Sequence, residues 1–201
     1  MGKRVIIGGL VGGIALFAWG SLWHLALPFA SAGIRDIPNE QSVVSVMKAS
    51  ITEPGFYFFP GLGLAPGATR QQQAAAMEAA EKKAATGPNG ILVIHPEGGG
   101  GLTAARLTTE IVLNLVQATL LALLLACSGG GGTYMGRVGL VTLAGIFGAL
   151  ATNVQYWNWY GFPGYYTVMY MVSEILGFFV TGLVVAAFVR GGGDAAQAAR
   201  G

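Results

Sequence analysis

The chain has 201 residues, of which 53% are apolar and only 10% charged. A soluble domain carries roughly 25% charged residues, so the composition excludes an ordinary soluble fold. The formal net charge of +2 gives no electrostatic footprint for nucleic acid, and a single cysteine excludes an internal disulfide.

In chain order, the first element is an apolar run over residues 5–27. It is near the roughly 20 residues that cross the hydrocarbon core of a bilayer as a helix. Lys3, Arg4 and a downstream Ala30-Ser31-Ala32 imitate a signal peptide with its cleavage site. The apolar run exceeds a typical h-region of ~7–15 residues, so an uncleaved anchor is expected. Gly8 with Gly12, and Gly9 with Gly13, form two overlapping GxxxG patterns, which let helix backbones approach closely in lipid. Such faces serve packing within one bundle or docking against another subunit, and the motif does not separate the two.

Residues 28–106 are the polar middle of the chain. Residues 37–51 read as a short amphipathic helix with Asn39 as its N-cap and Val43, Val44, Met47 and Ile51 at helical spacing. Residues 55–60 and 90–96 are aromatic or β-branched runs fenced by Gly and Pro, which predicts two paired strands. Between them, residues 68–86 are rich in Ala, Gln, Glu and Lys, a strong helix former with Met77 as its one apolar anchor. The product is a small α+β insert of helix, strand, helix and strand. Glycine runs at 98–101, 129–132 and 191–193 lack the Lys-Ser/Thr ending of a phosphate-binding loop and read as linkers.

Three further apolar runs follow, over residues 107–127, 138–154 and 168–189. The sequence around Cys127 imitates a lipoprotein processing site, but it stands mid-chain, where such a signal has no function. Cys127 is expected to be a packing residue. Gly145 and Gly148, with Ala149 and Ala144, repeat the small-residue pattern of the first span. The segment between the last two runs, residues 155–167, is the densest signal in the chain. Its Tyr156, Trp157, Trp159, Tyr160, Tyr165 and Tyr166 suit a membrane–water interface. Together with Trp19 and Trp23 they predict an outer aromatic belt, with Asn158, Gly161, Pro163 and Gly164 fixing a turn. The same loop could instead offer an aromatic platform for a lipid, a quinone or a protein partner.

The fold class expected is therefore a mainly α membrane protein built as a four-transmembrane-helix bundle. One N-terminal anchor (1–27) and three C-terminal spans (107–190) flank an extracytoplasmic α+β insert (28–106), and a flexible tail (191–201) follows. Lys3 and Arg4, Arg137 and Arg190 lie at one side of these spans, and residues 155–167 carry no charge. By the positive-inside rule both termini face the cytoplasm, and the expected location is the bacterial cytoplasmic membrane.

Polar residues inside the spans mark the candidate site. Glu110, Asn114 and Gln117 follow an i, i+4, i+7 spacing and share one helix face. Glu174 stands about two turns into the fourth run, and His24 about one turn from the end of the first. With Asn153, and with His95 on the second predicted strand, these residues would converge in a polar chamber at the outer leaflet. An ionisable group within a span costs roughly 2.5–3.5 kcal/mol on insertion scales, which singles out Glu174. It either fixes helix register through Asn114 or Gln117, or it serves a ligand or a proton. No metal or cofactor is predicted, because the His/Glu ligand spacings and a haem-attachment motif are absent.

Two functions are expected from these residues. The first is a non-enzymatic accessory or structural subunit, with membrane lipid and a protein partner or second copy as neighbours. The alternative is binding or transport of a quinone, lipid or proton-coupled substrate in the polar chamber.

Overall fold

The computed structural model describes residues 2–129 and 132–190, so the expected tail at 191–201 and part of the 129–132 glycine run lie outside the described residues. The chain divides into two compact units, Arg35–Gly101 and the remainder on either side of it.

The larger unit is helical. Helix α1 spans Gly2–Ala26 without an interior proline and ends two residues before Pro28. In the smaller unit α2 covers Glu40–Ser50, β1 Gly55–Phe59, α3 Arg70–Thr86 and β2 Gly90–Ile94. Helix α4 (Ala104–Cys127) begins at Thr103, whose side chain accepts from Arg106 N at 3.2 Å. Helix α5 (Tyr134–Ala149) begins in the same manner at Thr133, which accepts from Gly136 N. It runs through a π-helical turn, Leu150–Val154, into α6 (Gln155–Tyr160), and α7 covers Gly164–Phe188. Among the described residues, four helices are long and apolar enough to cross a bilayer: α1, α4, the continuous stretch Tyr134–Tyr160, and α7. That is the architecture of a multi-pass membrane protein.

Three local expectations change. The connection expected over residues 155–167 shrinks to residues 161–163, because nothing before Gly161 breaks the helix. Gly161 is the first residue there with a positive φ (69°), and Asn158 lies inside α6. Arg137 belongs to the first turn of α5 rather than to a loop. It is buried, and its Nη1 donates to Gly132 O at 3.0 Å. Helix α7 starts at Gly164, so Glu174 sits roughly 15 Å along a helix of roughly 37 Å.

The core of the helical unit lies at the end where α1 and α5 begin and α4 and α7 finish. Val5, Leu121, Leu125, Val138, Val141 and Val185 meet there, drawn from all four spans. Tyr134 Oη donates across this end to Leu183 O at 2.7 Å. Both glycine stripes of α1 are occupied from within the chain. A Cβ on Gly12 would stand 2.6 Å from Val185 Cγ2 of α7, and one on Gly13 would stand 2.6 Å from Leu115 Cα of α4. Gly8 likewise faces α7 and Gly9 faces Thr119 of α4. Gly145 receives the ring of Phe178, whereas nothing lies within 4 Å of a Cβ on Gly148.

The smaller unit is an antiparallel hairpin, with Phe56 opposite Val93 and Phe58 opposite Ile91, whose connection contains α3. Helix α3 forms through local signals. Thr69 and Gln72 build a reciprocal capping box, and Glu78 and Lys82 pair at i, i+4. Asn39 caps α2, but not with its side chain. It adopts the left-handed conformation (φ 54°), and its carbonyl accepts from Ser42 N and Val43 N. Asn tolerates that region better than most residues, so the sequence signal holds with a different mechanism. No residue of Arg35–Gly101 is buried, and the expected apolar face of α2 closes no core.

Two outcomes follow for this unit. Thr69→Ala is expected to cost α3 about 1 kcal/mol, read as roughly fivefold faster amide exchange in its first turn. Lys82→Ala should leave that exchange within a factor of about two, because an exposed i, i+4 pair contributes only about 0.3–0.5 kcal/mol.

Candidate functional site

Helix α4 packs mainly on α1, α1 on α7, and α7 on α5, while α4 and α5 scarcely meet. Away from the core end this leaves a cavity of about 640 Å3, lined by residues of α1, α4, α5, α7 and the π-helical turn. Small residues keep it open. Gly145, Gly148 and Ala149 line the α5 side and Gly20 part of the α1 side.

One wall is the polar face of α4. Glu110, Asn114 and Gln117 all line the cavity, and Asn114 Nδ2 donates to Glu110 Oε1 at 3.0 Å. Asn114 is only 6% exposed, so that bond satisfies a group with little access to water. Glu174 of α7 lines the cavity as well. Its Oε2 accepts from Asn153 Nδ2 at 2.7 Å, and the same nitrogen donates to Ala149 O at 3.1 Å. Asn153 is buried and sits in the π-helical turn. The widened backbone of such a turn re-aims side chains and is frequent at functional sites. The buried hydroxyl of Thr181 bonds within its own helix, to Gly177 O at 2.8 Å. The Asn153–Glu174 bond, by contrast, joins two spans.

Helix α1 contributes rings. Trp19 packs on Gly177, and its indole N–H donates to Ser173 O at 2.9 Å. Trp23 is 4% exposed and packs between Trp19 and Phe29, its ring tilted to both. Both tryptophans thus pack within the helical unit. Trp157, Trp159 and Tyr165 do lie on the surface, with Trp159 72% exposed. His24 lines the cavity beside Tyr170, their ring centres 6.3 Å apart. From Tyr170 an unbroken run of rings continues through Tyr166, Phe162 and Tyr156 to Tyr160, at centroid separations of 5.0 to 5.7 Å. Each such pair contributes about 0.5–1.5 kcal/mol beyond its buried area, so this end is held by aromatic contact.

The structure therefore brings Glu110, Asn114, Gln117, His24 and Glu174 to one cavity, with Asn153 holding Glu174. His95 belongs to the smaller unit, directly after β2. Sequence reasoning missed Tyr170, Ser173, Gly177 and Thr152 as lining residues. Tyr170 and Gly177 stand at i−4 and i+3 from Glu174, a spacing that could have identified them.

Among the described residues no three His, Cys, Asp or Glu side chains come together as a metal set. Comparison of the chain with family models, curated proteins and solved structures yields no match. The chemistry of the cavity itself is what remains. Its two carboxylates each accept an amide hydrogen bond through one oxygen, Glu110 from Asn114 and Glu174 from Asn153.

Proposed function

We propose that this membrane protein binds an amphiphilic small molecule in the cavity between its spans. The observation that carries the reading is the pairing of polar groups on α4 and α7 with aromatic and glycine surfaces in one space of about 640 Å3. That volume lies within the range of roughly 300–1,000 Å3 typical of ligand pockets, and the mixed lining suits a molecule with one polar and one apolar end. The test is Gly148→Leu. A Cβ there meets nothing within 4 Å and Gly148 lines the cavity, so the variant should fold normally, narrow the space and weaken saturable binding of a brominated alkyl amphiphile. Binding is read by quenching of Trp19 and Trp23 in a Trp157→Phe/Trp159→Phe background. Unchanged quenching in Gly148→Leu would remove the cavity from consideration.

The orientation belongs to the same proposal. Both termini face the cytoplasm of a bacterial cell, and residues 28–106 face outward, supported by Lys3, Arg4 and Arg190 at one side of the spans. Cys127, exposed at the end of α4, should then resist a membrane-impermeant maleimide in intact cells and react after permeabilisation. Ser45→Cys in a Cys127→Ser background should react in intact cells. The opposite pattern would invert the topology.

A second reading, an accessory subunit that assembles with a partner protein or a second copy, is favoured by the smaller unit. Its 67 residues, Arg35–Gly101, include none that is buried. A unit of that size without a core has little stability of its own. Extraction in mild detergent should then yield an assembly heavier than one chain. A lone monomer would exclude this reading and leave the cavity untouched.

A further inference from the structure

We infer that the ligand of this cavity is a lipophilic monovalent cation, an ammonium or phosphonium centre carried on an apolar or aromatic body. The inference rests on the proposed binding role of the cavity and adds the sign and chemistry of its occupant. Three observations carry it. First, the two carboxylates lining the cavity, Glu110 and Glu174, stand against the single guanidinium of Arg106, with the His24 imidazole in the same lining. Second, both carboxylates are held by amides that donate into them, Asn114 into Glu110 Oε1 and Asn153 into Glu174 Oε2. With those nitrogens engaged, what Glu110 and Glu174 offer a ligand is a remaining carboxylate oxygen, which favours a positive group. Third, Phe17, Trp19, Trp23, Tyr170 and Phe178 line the same space, and aromatic faces attract a desolvated cation.

The alternatives fit less well. An acyl chain would place methylene groups against Asn114 and Gln117, which leaves the amides facing hydrocarbon. An anionic amphiphile would bring its charge to two carboxylates. Arg106 stands in the first turn of α4, four residues before Glu110 on the same face, so it offsets part of the negative charge without reversing it.

The experiment uses two probes of the same shape and opposite sign, tetraphenylphosphonium and tetraphenylborate, with neutral triphenylphosphine oxide as the third. Binding to the purified full chain is measured by equilibrium dialysis in a neutral maltoside detergent against empty micelles. Tetraphenylphosphonium should bind saturably and tetraphenylborate should not. Glu174→Gln should weaken the phosphonium about tenfold or more, and Glu110→Gln should weaken it as well. Phosphatidylethanolamine added as a competitor identifies the source. Displacement assigns the site to an ammonium lipid headgroup, and its absence assigns it to a freely diffusing cation. Equal binding of the two ions, or phosphonium affinity unchanged in both Gln variants, overturns the inference. If equal binding is also lost in Gly148→Leu, the cavity still binds amphiphiles and only the assignment of charge falls. If no probe responds to Gly148→Leu, the binding role and the inference fall together.

Discussion

Gly13→Leu is expected to be among the most damaging single substitutions in the helical unit. A Cβ at this position would lie 2.6 Å from Leu115 Cα and 2.9 Å from Leu115 N, so it meets the backbone of α4. Backbone cannot rotate away as a side chain can. At Gly12 the nearest atom is the tip of Val185, 2.6 Å away, which has more freedom to move. Forcing extra atoms into a packed contact costs typically about 1–3 kcal/mol, and here the strain falls on the main contact that holds α4. In lipid, close backbone approach is itself a large part of what draws helices together, so separating α1 from α4 also forfeits dispersion contact along the stripe. Unfolding in mixed detergent should place Gly13→Leu below Gly12→Ala, and both below the wild type. Gly139→Leu is the control. That exposed glycine of α5 has nothing within 4 Å of an added Cβ, and the substitution should leave stability unchanged or raise it. A Gly13→Leu protein as stable as Gly139→Leu would mean that the α1–α4 contact is not close in the folded protein.

These glycines also show what was legible in advance. The four apolar runs announce helices because no soluble composition produces them, and the strands 55–59 and 90–94 are fenced by Gly and Pro. The GxxxG patterns mark close contact, but they do not say with what. Only packing shows that Gly9 and Gly13 serve α4 while Gly8 and Gly12 turn largely to α7. Helix ends were misread where composition misleads. The Tyr and Trp residues at 156–160 favour an interface and equally allow a helix, and a stretch without Gly or Pro continues whatever precedes it. That puts the start of α7 at Gly164, four residues before the apolar run begins, with Glu174 correspondingly further along its helix. Trp19 and Trp23 carry the same chemistry as Trp157 and Trp159, yet they face inward. Which side of a helix faces lipid depends on its neighbours, and α1 is apolar all round. The face Glu110–Asn114–Gln117 was readable from spacing alone. The π-helical turn that brings Asn153 to Glu174 was not, since an inserted residue in a helix leaves no compositional trace.

Asn153→Leu should cost about 1–3 kcal/mol and damage the site more than its position outside the cavity lining suggests. Asn153 is 6% exposed and donates both to Glu174 Oε2 and to Ala149 O. Leucine removes both donations and leaves a carboxylate oxygen facing hydrocarbon. An unsatisfied acceptor withdrawn from water costs about 1–3 kcal/mol, and more when it is charged. A typical hydrogen bond between spans is worth only about 0.6 kcal/mol by double-mutant cycles, which sets the lower expectation. The two magnitudes separate two roles for the pair. If the bond only fixes helix register, Asn153→Leu should act through its small pairwise energy, and Glu174→Leu should be equally mild. If the bond holds a carboxylate that the site requires, Asn153→Leu should be the costlier single change. The double variant Asn153→Leu/Glu174→Leu should then regain stability, because an apolar pair of similar shape leaves nothing unsatisfied. Unfolding of the four proteins in mixed detergent closes the cycle. Recovery in the double variant without recovery of ligand binding would identify Glu174 as held for a ligand at some expense to the fold. Purely additive losses would show that the two side chains do not depend on one another.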